Sequence, residues 1–138
     1  MKSIKYLFLL LFFSITVAQA QQYRFETSGF MISQKSNKGK WGEWSKFNKT
    51  KMVVLLDADK NRIIVYSEAI QLFTILKYYD QKDSENGNVV SFQCLDNSGV
   101  NCEVSIFTRK DKGNLKQLYI YYNDRIIAYN LKLLKDKK

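Results

Sequence analysis

Apolar and polar residues alternate with a period of two in eight separate blocks of this chain, each bounded by Gly, Asn or Asp clusters, and its 138 residues include no proline. A period of two sends successive side chains to opposite faces of an extended backbone, so the blocks read as β-strands. They are predicted near Tyr23 to Ser33, Lys51 to Leu56, Arg62 to Ser67, Ile70 to Tyr79, Val89 to Leu95, Asn101 to Phe107, Leu115 to Tyr122 and Arg125 to Leu133. Four connections carry tight-turn chemistry: Asp57-Ala58-Asp59-Lys60-Asn61, Asp96-Asn97-Ser98-Gly99, Lys110-Asp111-Lys112-Gly113-Asn114 and Asn123-Asp124. Strands joined this way pair antiparallel. One segment has a second solution, because Ser67 could cap a helix with Ile70, Phe73 and Leu76 on one face. Thr74, Ile75, Tyr78 and Tyr79 favour extended backbone, and the strand is preferred. The expected fold is all-β, an antiparallel up-and-down barrel of about eight strands; a β-sandwich, or α+β with one helix near 67–79, is the alternative. Closure removes exposed sheet edges.

The first residues set an address. Lys2 and Lys5 precede the apolar run Tyr6 to Phe13, and Ala18-Gln19-Ala20 supplies small residues of the kind a signal peptidase cuts after. Residues 1–20 are therefore expected to be a cleaved signal peptide and 21–138 a single barrel domain, secreted or periplasmic. The apolar run is shorter than the roughly 20 residues that span a bilayer, so no transmembrane anchor is expected. Gln21 rather than Cys follows the cut, which does not indicate a lipoprotein.

Composition narrows the chemistry. With 22 Lys and Arg against 13 Asp and Glu, the net charge is +9. Such a field attracts phosphate-bearing surfaces, acidic glycans and nucleic acid without specificity, so no specific nucleic-acid partner is inferred. The chain has no His, which removes the commonest general base and zinc ligand together with every Ser-His or Cys-His pair. No phosphate loop, nucleophile elbow or metal cluster is present in the sequence, so neither enzymatic activity nor a cofactor is expected.

Cys94 and Cys102 flank a turn whose Asn97-Ser98-Gly99 suits a type I turn with a left-handed glycine bulge. That register pairs Asp96 with Val100 and Cys94 with Cys102, both facing the interior beside Val90, Phe92, Val104 and Ile106. In an exported protein one structural disulfide is the simplest expectation, ahead of buried free thiols and of a redox or metal role.

Two stretches are candidate sites. Asp57, Asp59, Asn61 and Glu68 sit at positions one, three, five and twelve of an EF-hand-like loop, but Arg62 stands where the sharp turn needs Gly and the flanks read as strands. A plain hairpin turn explains the same residues, and no metal is assigned. The aperiodic loop from Gln34 to Thr50, with Lys51 directly after it, interleaves Trp41, Trp44 and Phe47 with Lys35, Lys38, Lys40, Lys46, Lys49 and Lys51. Aromatics there could stack on sugars or bases while lysines meet phosphates or uronates, or the Trp side chains could fold back over a barrel mouth. One face of the last hairpin, with Tyr119, Tyr121, Ile126 and Ala128, is apolar enough for a second packed layer or a partner surface.

The repeated Gly-x-Trp of Gly39-Lys40-Trp41 and Gly42-Glu43-Trp44, ahead of the strand from Lys51, with Arg125 opening the last strand, resembles the calycin group of lipocalin and fatty-acid-binding-protein barrels. In lipocalins the motif lies in the first barrel strand and a late Arg packs over its Trp, whereas here a strand-like block precedes it. The resemblance implies carriage of a small apolar or amphipathic molecule in the barrel lumen, with Trp41, Trp44 and Phe47 near the entrance. The alternative is an interaction protein whose Lys and Trp loop recognises an anionic polymer, such as a glycan, or a protein surface.

Overall fold

The structure, a computed structural model, describes residues 22–36 and 38–134. The leader expected at 1–20 lies outside them. Among the described residues ten strands form: β1 (Gln22–Gln34), β2 (Asn48–Lys49), β3 (Val53–Asp57), β4 (Arg62–Tyr66), β5 (Gln71–Tyr78), β6 (Lys82–Ser84), β7 (Gly87–Leu95), β8 (Asn101–Arg109), β9 (Leu115–Tyr121) and β10 (Arg125–Leu133). Taken in the order β1, β3, β4, β5, β7, β8, β9, β10, each strand pairs with the next, and β10 pairs back with β1 from Phe25 opposite Leu133 to Gln34 opposite Arg125. The result is a closed antiparallel up-and-down barrel of eight strands. Each of the eight predicted blocks supplies one of them. Among the described residues no helix is long and apolar enough to cross a membrane.

The segment with two solutions is a strand. β5 pairs with β4 on one side and β7 on the other, with Phe73 and Ile75 buried and Thr74 and Leu76 exposed. Its β-branched and aromatic residues suit a wall strand, and a helix there would leave β4 and β7 each with one open edge. The two short strands are lateral extensions: β2 pairs with Gly29 and Phe30 of β1, and β6 pairs with the first residues of β7. Between β2 and β3 the ladder is interrupted where β1 bulges between Thr27 and Gly29. The buried Thr27 hydroxyl bridges the gap, accepting from Met52 N–H at 2.9 Å and donating to Thr50 O at 3.1 Å. Without it Met52 N–H and Thr50 O would lack these partners.

Alternate residues of every barrel strand point inward. Phe25, Val54, Ile63, Val65, Phe73, Phe92, Val104, Leu118, Ile120 and Leu131 are buried in one continuous cluster. The inside of the barrel is thus a packed core, and an eight-stranded wall is just wide enough for side chains to fill it. Each fully buried Val, Ile, Leu or Phe contributes roughly 1.5–3 kcal/mol by leaving water.

The turn between β7 and β8 has the predicted chemistry. Gly99 takes φ +79°, Gly99 N–H donates to Asp96 O at 3.0 Å, and Asp96 N–H donates to Val100 O at 3.0 Å. Asp96 Oδ1 accepts from the N–H groups of Ser98 and Val100, both at 2.9 Å. Cys94 consequently stands opposite Cys102, and both are buried free thiols. The register expected for a disulfide is present, while the bond itself is not formed in this structure.

Asn97 at the tip of this turn reaches the entry to β5, accepting from Leu72 N–H at 2.6 Å and donating to Ile70 O at 3.0 Å. One side chain thereby satisfies two backbone groups that have no strand beside them. Asn97→Ala is expected to cost about 1 kcal/mol, the scale of such bonds at an exposed site, and chemical denaturation would show it.

Candidate functional site

The residues that point outward on β7, β8, β9, β10 and β1 carry the unusual chemistry. One row across the wall reads Ser91, Ser105, Tyr119, Ala128, Met31. The small side chains beside Tyr119 leave room for aromatic rings from the adjacent rows. Phe107 meets Tyr119 edge-on at 5.0 Å, Tyr121 lies 5.9 Å from it at 30°, and Trp44 meets it edge-on at 6.1 Å. Four rings from three separate parts of the chain thus form one connected run on the outer surface, over a layer in which Ser33, Ser105, Gln117 and Ala128 are buried.

Trp44 is placed by backbone bonds that the aperiodic loop makes to β1. Gly42 N–H donates to Gln34 O at 2.9 Å and Ser45 N–H to Ile32 O at 2.8 Å, while Ser45 Oγ accepts from Ile32 N–H at 2.9 Å. Ser33 Oγ donates to Gly42 O at 2.9 Å. The loop is stitched along the strand it follows. Phe47 lies against Gly29, where an added Cβ would come within 2.2 Å of the ring. Trp41 is separate, bridged to Lys35 with the Lys35 ammonium 5.7 Å from the ring centroid. Trp41, Trp44 and Phe47 are 45%, 43% and 44% exposed. The structure therefore brings Trp44 into an aromatic cluster and leaves Trp41 outside it. Arg125 packs on neither Trp; its guanidinium lies 4.0 Å from the Tyr122 ring, whose hydroxyl donates to Asp96 Oδ2 at 2.9 Å.

Beside the aromatic run a groove of about 540 Å³ opens on the outer face of β7 and β8. Ser91 and Ser105 form its floor, their hydroxyls 2.8 Å apart, and Phe107, Tyr121 and Tyr79 stand at its sides. Glu103, Asp80, Lys82 and Val89 complete the lining. Tyr79 is held there by its N–H bond to Ser91 O at 3.1 Å. Burial, then the neighbouring Tyr119 and Glu103, push the Tyr121 phenol up to about 12, so it remains a hydrogen-bond donor at neutral pH. A second cleft of about 270 Å³ shares Lys82, Val89 and Phe107 with the first and continues to Arg109. Arg109 is fixed by Nε, which donates to Gln117 Oε1 at 2.6 Å, and by its position 5.2 Å from the Phe107 ring. Gln117 Nε2 in turn donates to Asn130 Oδ1 at 2.9 Å.

The EF-hand-like series lies on the β3–β4 hairpin. Asp57 is buried with Oδ2 3.4 Å from Arg62 Nε, Asp59 is in a single 3-10 turn, and Glu68 lies beyond the end of β4. Asn61 takes φ +51° and accepts the Tyr78 hydroxyl at 2.8 Å. Among the described residues no group of three or more His, Cys, Asp or Glu is placed to hold a metal.

Sequence reasoning reached Trp44, Tyr119 and Tyr121 but missed Tyr79, Ser91, Glu103, Ser105, Phe107 and Arg109. The available signal was parity: in the predicted hairpin register, Ser91, Glu103 and Ser105 point away from the cysteine face, and Phe107 and Arg109 follow at the same spacing. No family model matches this chain and no curated protein or solved structure does, so the geometry of the outer wall is the ground for a functional reading.

Proposed function

We propose that this protein is a binding protein that recognises an anionic polymer through the outside of its barrel. The observation that carries the reading is the connected run of Trp44, Tyr119, Phe107 and Tyr121 on the outer wall, opening onto a groove with a polar floor. Partly exposed rings beside a polar floor suit a flat, amphipathic ligand. The net charge, +9 over the whole chain and +7 once Lys2 and Lys5 leave with the leader, draws polyanions to the surface from a distance. Lumenal carriage of a small apolar molecule, as the calycin resemblance implies, has less support because the inward positions are already taken by packed side chains. The reading suits an address outside the cytoplasm, as the leader implies, where Cys94 and Cys102, opposed in register and free in this structure, would have to draw together before oxidation could bridge them.

Tryptophan fluorescence during titration with an acidic glycan, at low and high salt, tests this. Trp44→Ala is expected to weaken binding by roughly tenfold, the scale of one lost stacking contact, and Trp41→Ala by much less. Affinity should fall as salt rises. Equal binding by the Trp44→Ala variant would take Trp44 out of the contact and overturn the role given to it, and a discrete small molecule extracted from the purified native protein would count for the lumen instead.

A further inference from the structure

The two clefts on β7 and β8 share Lys82, Val89 and Phe107, so they form one trough that follows the strands. From Glu103 to Arg109 it runs roughly 20 Å, at about 3.3 Å per residue of β8. Its floor offers no free backbone. β8 is paired with β7 and β9 along this length, so an extended peptide cannot add to it as a strand, and a ligand lying along it meets mainly side chains.

Those side chains change character along the trough. At one end Arg109 and Lys82 present cations, and the bond to Gln117 uses Arg109 Nε, so the terminal nitrogens are the ones a ligand would meet. Asp83 lines the same end, with its Oδ1 accepting from Gln81 Nε2 at 2.9 Å. In the middle lie the rings of Phe107 and Tyr121 and the Ser91 and Ser105 hydroxyl pair, one of which keeps a proton to donate. At the other end Glu103 and Asp80 are acceptors for hydroxyl groups.

Resting on the outer-wall reading, we propose that the trough binds a stretch of oligosaccharide with a single uronate at the Arg109 end, since Asp80, Asp83 and Glu103 against Lys82 and Arg109 disfavour a ligand charged along its whole length. Pyranose faces lie on Phe107 and Tyr121, hydroxyls bond Ser91, Ser105 and Glu103, and a uronate carboxylate is held by Arg109 and Lys82. A sugar ring supplies the combination of an apolar face and a rim of hydroxyls that this lining matches. A planar guanidinium matches a carboxylate.

Calorimetric titration of the full chain with a galactose tetramer ending in one galacturonate, a neutral galactose tetramer and a short polyglutamate tests the assignment. The tetramer with one galacturonate is expected to bind best. Arg109→Gln should cost it roughly tenfold, the scale of a lost charge-assisted bond, and leave the neutral tetramer unchanged. Phe107→Leu, which keeps an apolar side chain but no ring face, should weaken both sugars by about the same factor, between fivefold and tenfold. Polyglutamate binding as tightly as the acidic sugar, or galacturonate binding that ignores both substitutions, overturns the proposal. If Trp44→Ala abolishes galacturonate binding that Arg109→Gln and Phe107→Leu leave intact, the trough fails while the outer-wall reading stands. If no acidic polymer binds at all, both fail.

Discussion

Gly87→Ala is expected to destabilise the barrel by about 3 kcal/mol or more, in the class of backbone clashes that a strand cannot relieve locally. Gly87 opens β7 with φ +149°, a conformation side chains rarely adopt. A Cβ there would lie 1.8 Å from Thr108 O, 2.9 Å from Thr108 C and 3.2 Å from Arg109 Cα, all backbone atoms of the paired strand β8. Relief requires moving β8, which is locked to β9 on its far side. Gly99 is the control. It too has a positive φ, +79°, but nothing lies within 4 Å of the added atom. Gly99→Ala should therefore cost only backbone strain, about 1–2 kcal/mol. Urea unfolding of the two variants beside the parent gives the comparison. A Gly87→Ala protein as stable as Gly99→Ala would mean that β7 and β8 do not approach as described.

With its cysteines reduced, the protein is expected to lose stability steeply as pH rises from about 9 toward 12. Burial, with Cys102 beside it, pushes the Cys94 thiol up to about 12 from its ordinary 9.0. Burial and then Asp96 push Cys102 up to about 11 against the opposing pull of Tyr122 and Arg125. A raised folded pKa means that the folded chain keeps protons the unfolded chain has released. The contribution is whole below pH 9 and is lost as pH climbs through the folded values. Burial also raises the Tyr78, Tyr122 and Tyr129 phenols, which deepens the loss above about pH 10. At about 1.4 kcal/mol per pKa unit the two thiols account for a few kcal/mol by pH 11. Denaturant midpoints at pH 8 and pH 11 measure it, and a Cys94→Ala/Cys102→Ala variant isolates the tyrosine part. The same fall in both proteins would show that the thiols are not held in a dry core. An oxidised, bridged sample should lose the thiol part as well.

Much of the wall was legible because its chemistry is local. The turn Asp96 to Gly99 carries its own conformation, and once it is placed, counting back by pairs puts Cys94 opposite Cys102. The β-branched and aromatic residues Thr74, Ile75, Tyr78 and Tyr79 were enough to choose strand over helix in the segment 70–79. The short strands β2 and β6 left no trace because they are two and three residues long and owe their pairing to a neighbour that runs on past its other partner. The loop around Trp44 was read as irregular for a similar reason. Its bonds to β1 are made at Gly42, Ser45 and Thr50, a spacing with no period. Phe47 had a hidden partner in Gly29, a residue whose missing side chain makes the space. The trough was the least legible. Tyr79, Ser91, Phe107 and Tyr121 lie on different strands or connections and become neighbours only after several registers are fixed together.

The seam between β1 and β10 has a consequence for how this molecule comes into being. The first and last strands pair over most of their length, and Leu134 N–H donates to Arg24 O at 2.9 Å where they separate. A wall closed by the two most distant parts of the chain cannot be completed until β10 has been synthesised. Until then β1 and β9 each present an unpaired edge, open to a second copy as readily as to the missing strand. Contacts of such long sequence separation also slow the search, toward the millisecond-to-second range of β-rich domains. Assembly of this barrel is therefore an all-at-the-end event, and the time between emergence of β1 and docking of β10 is when the chain is most exposed to self-association.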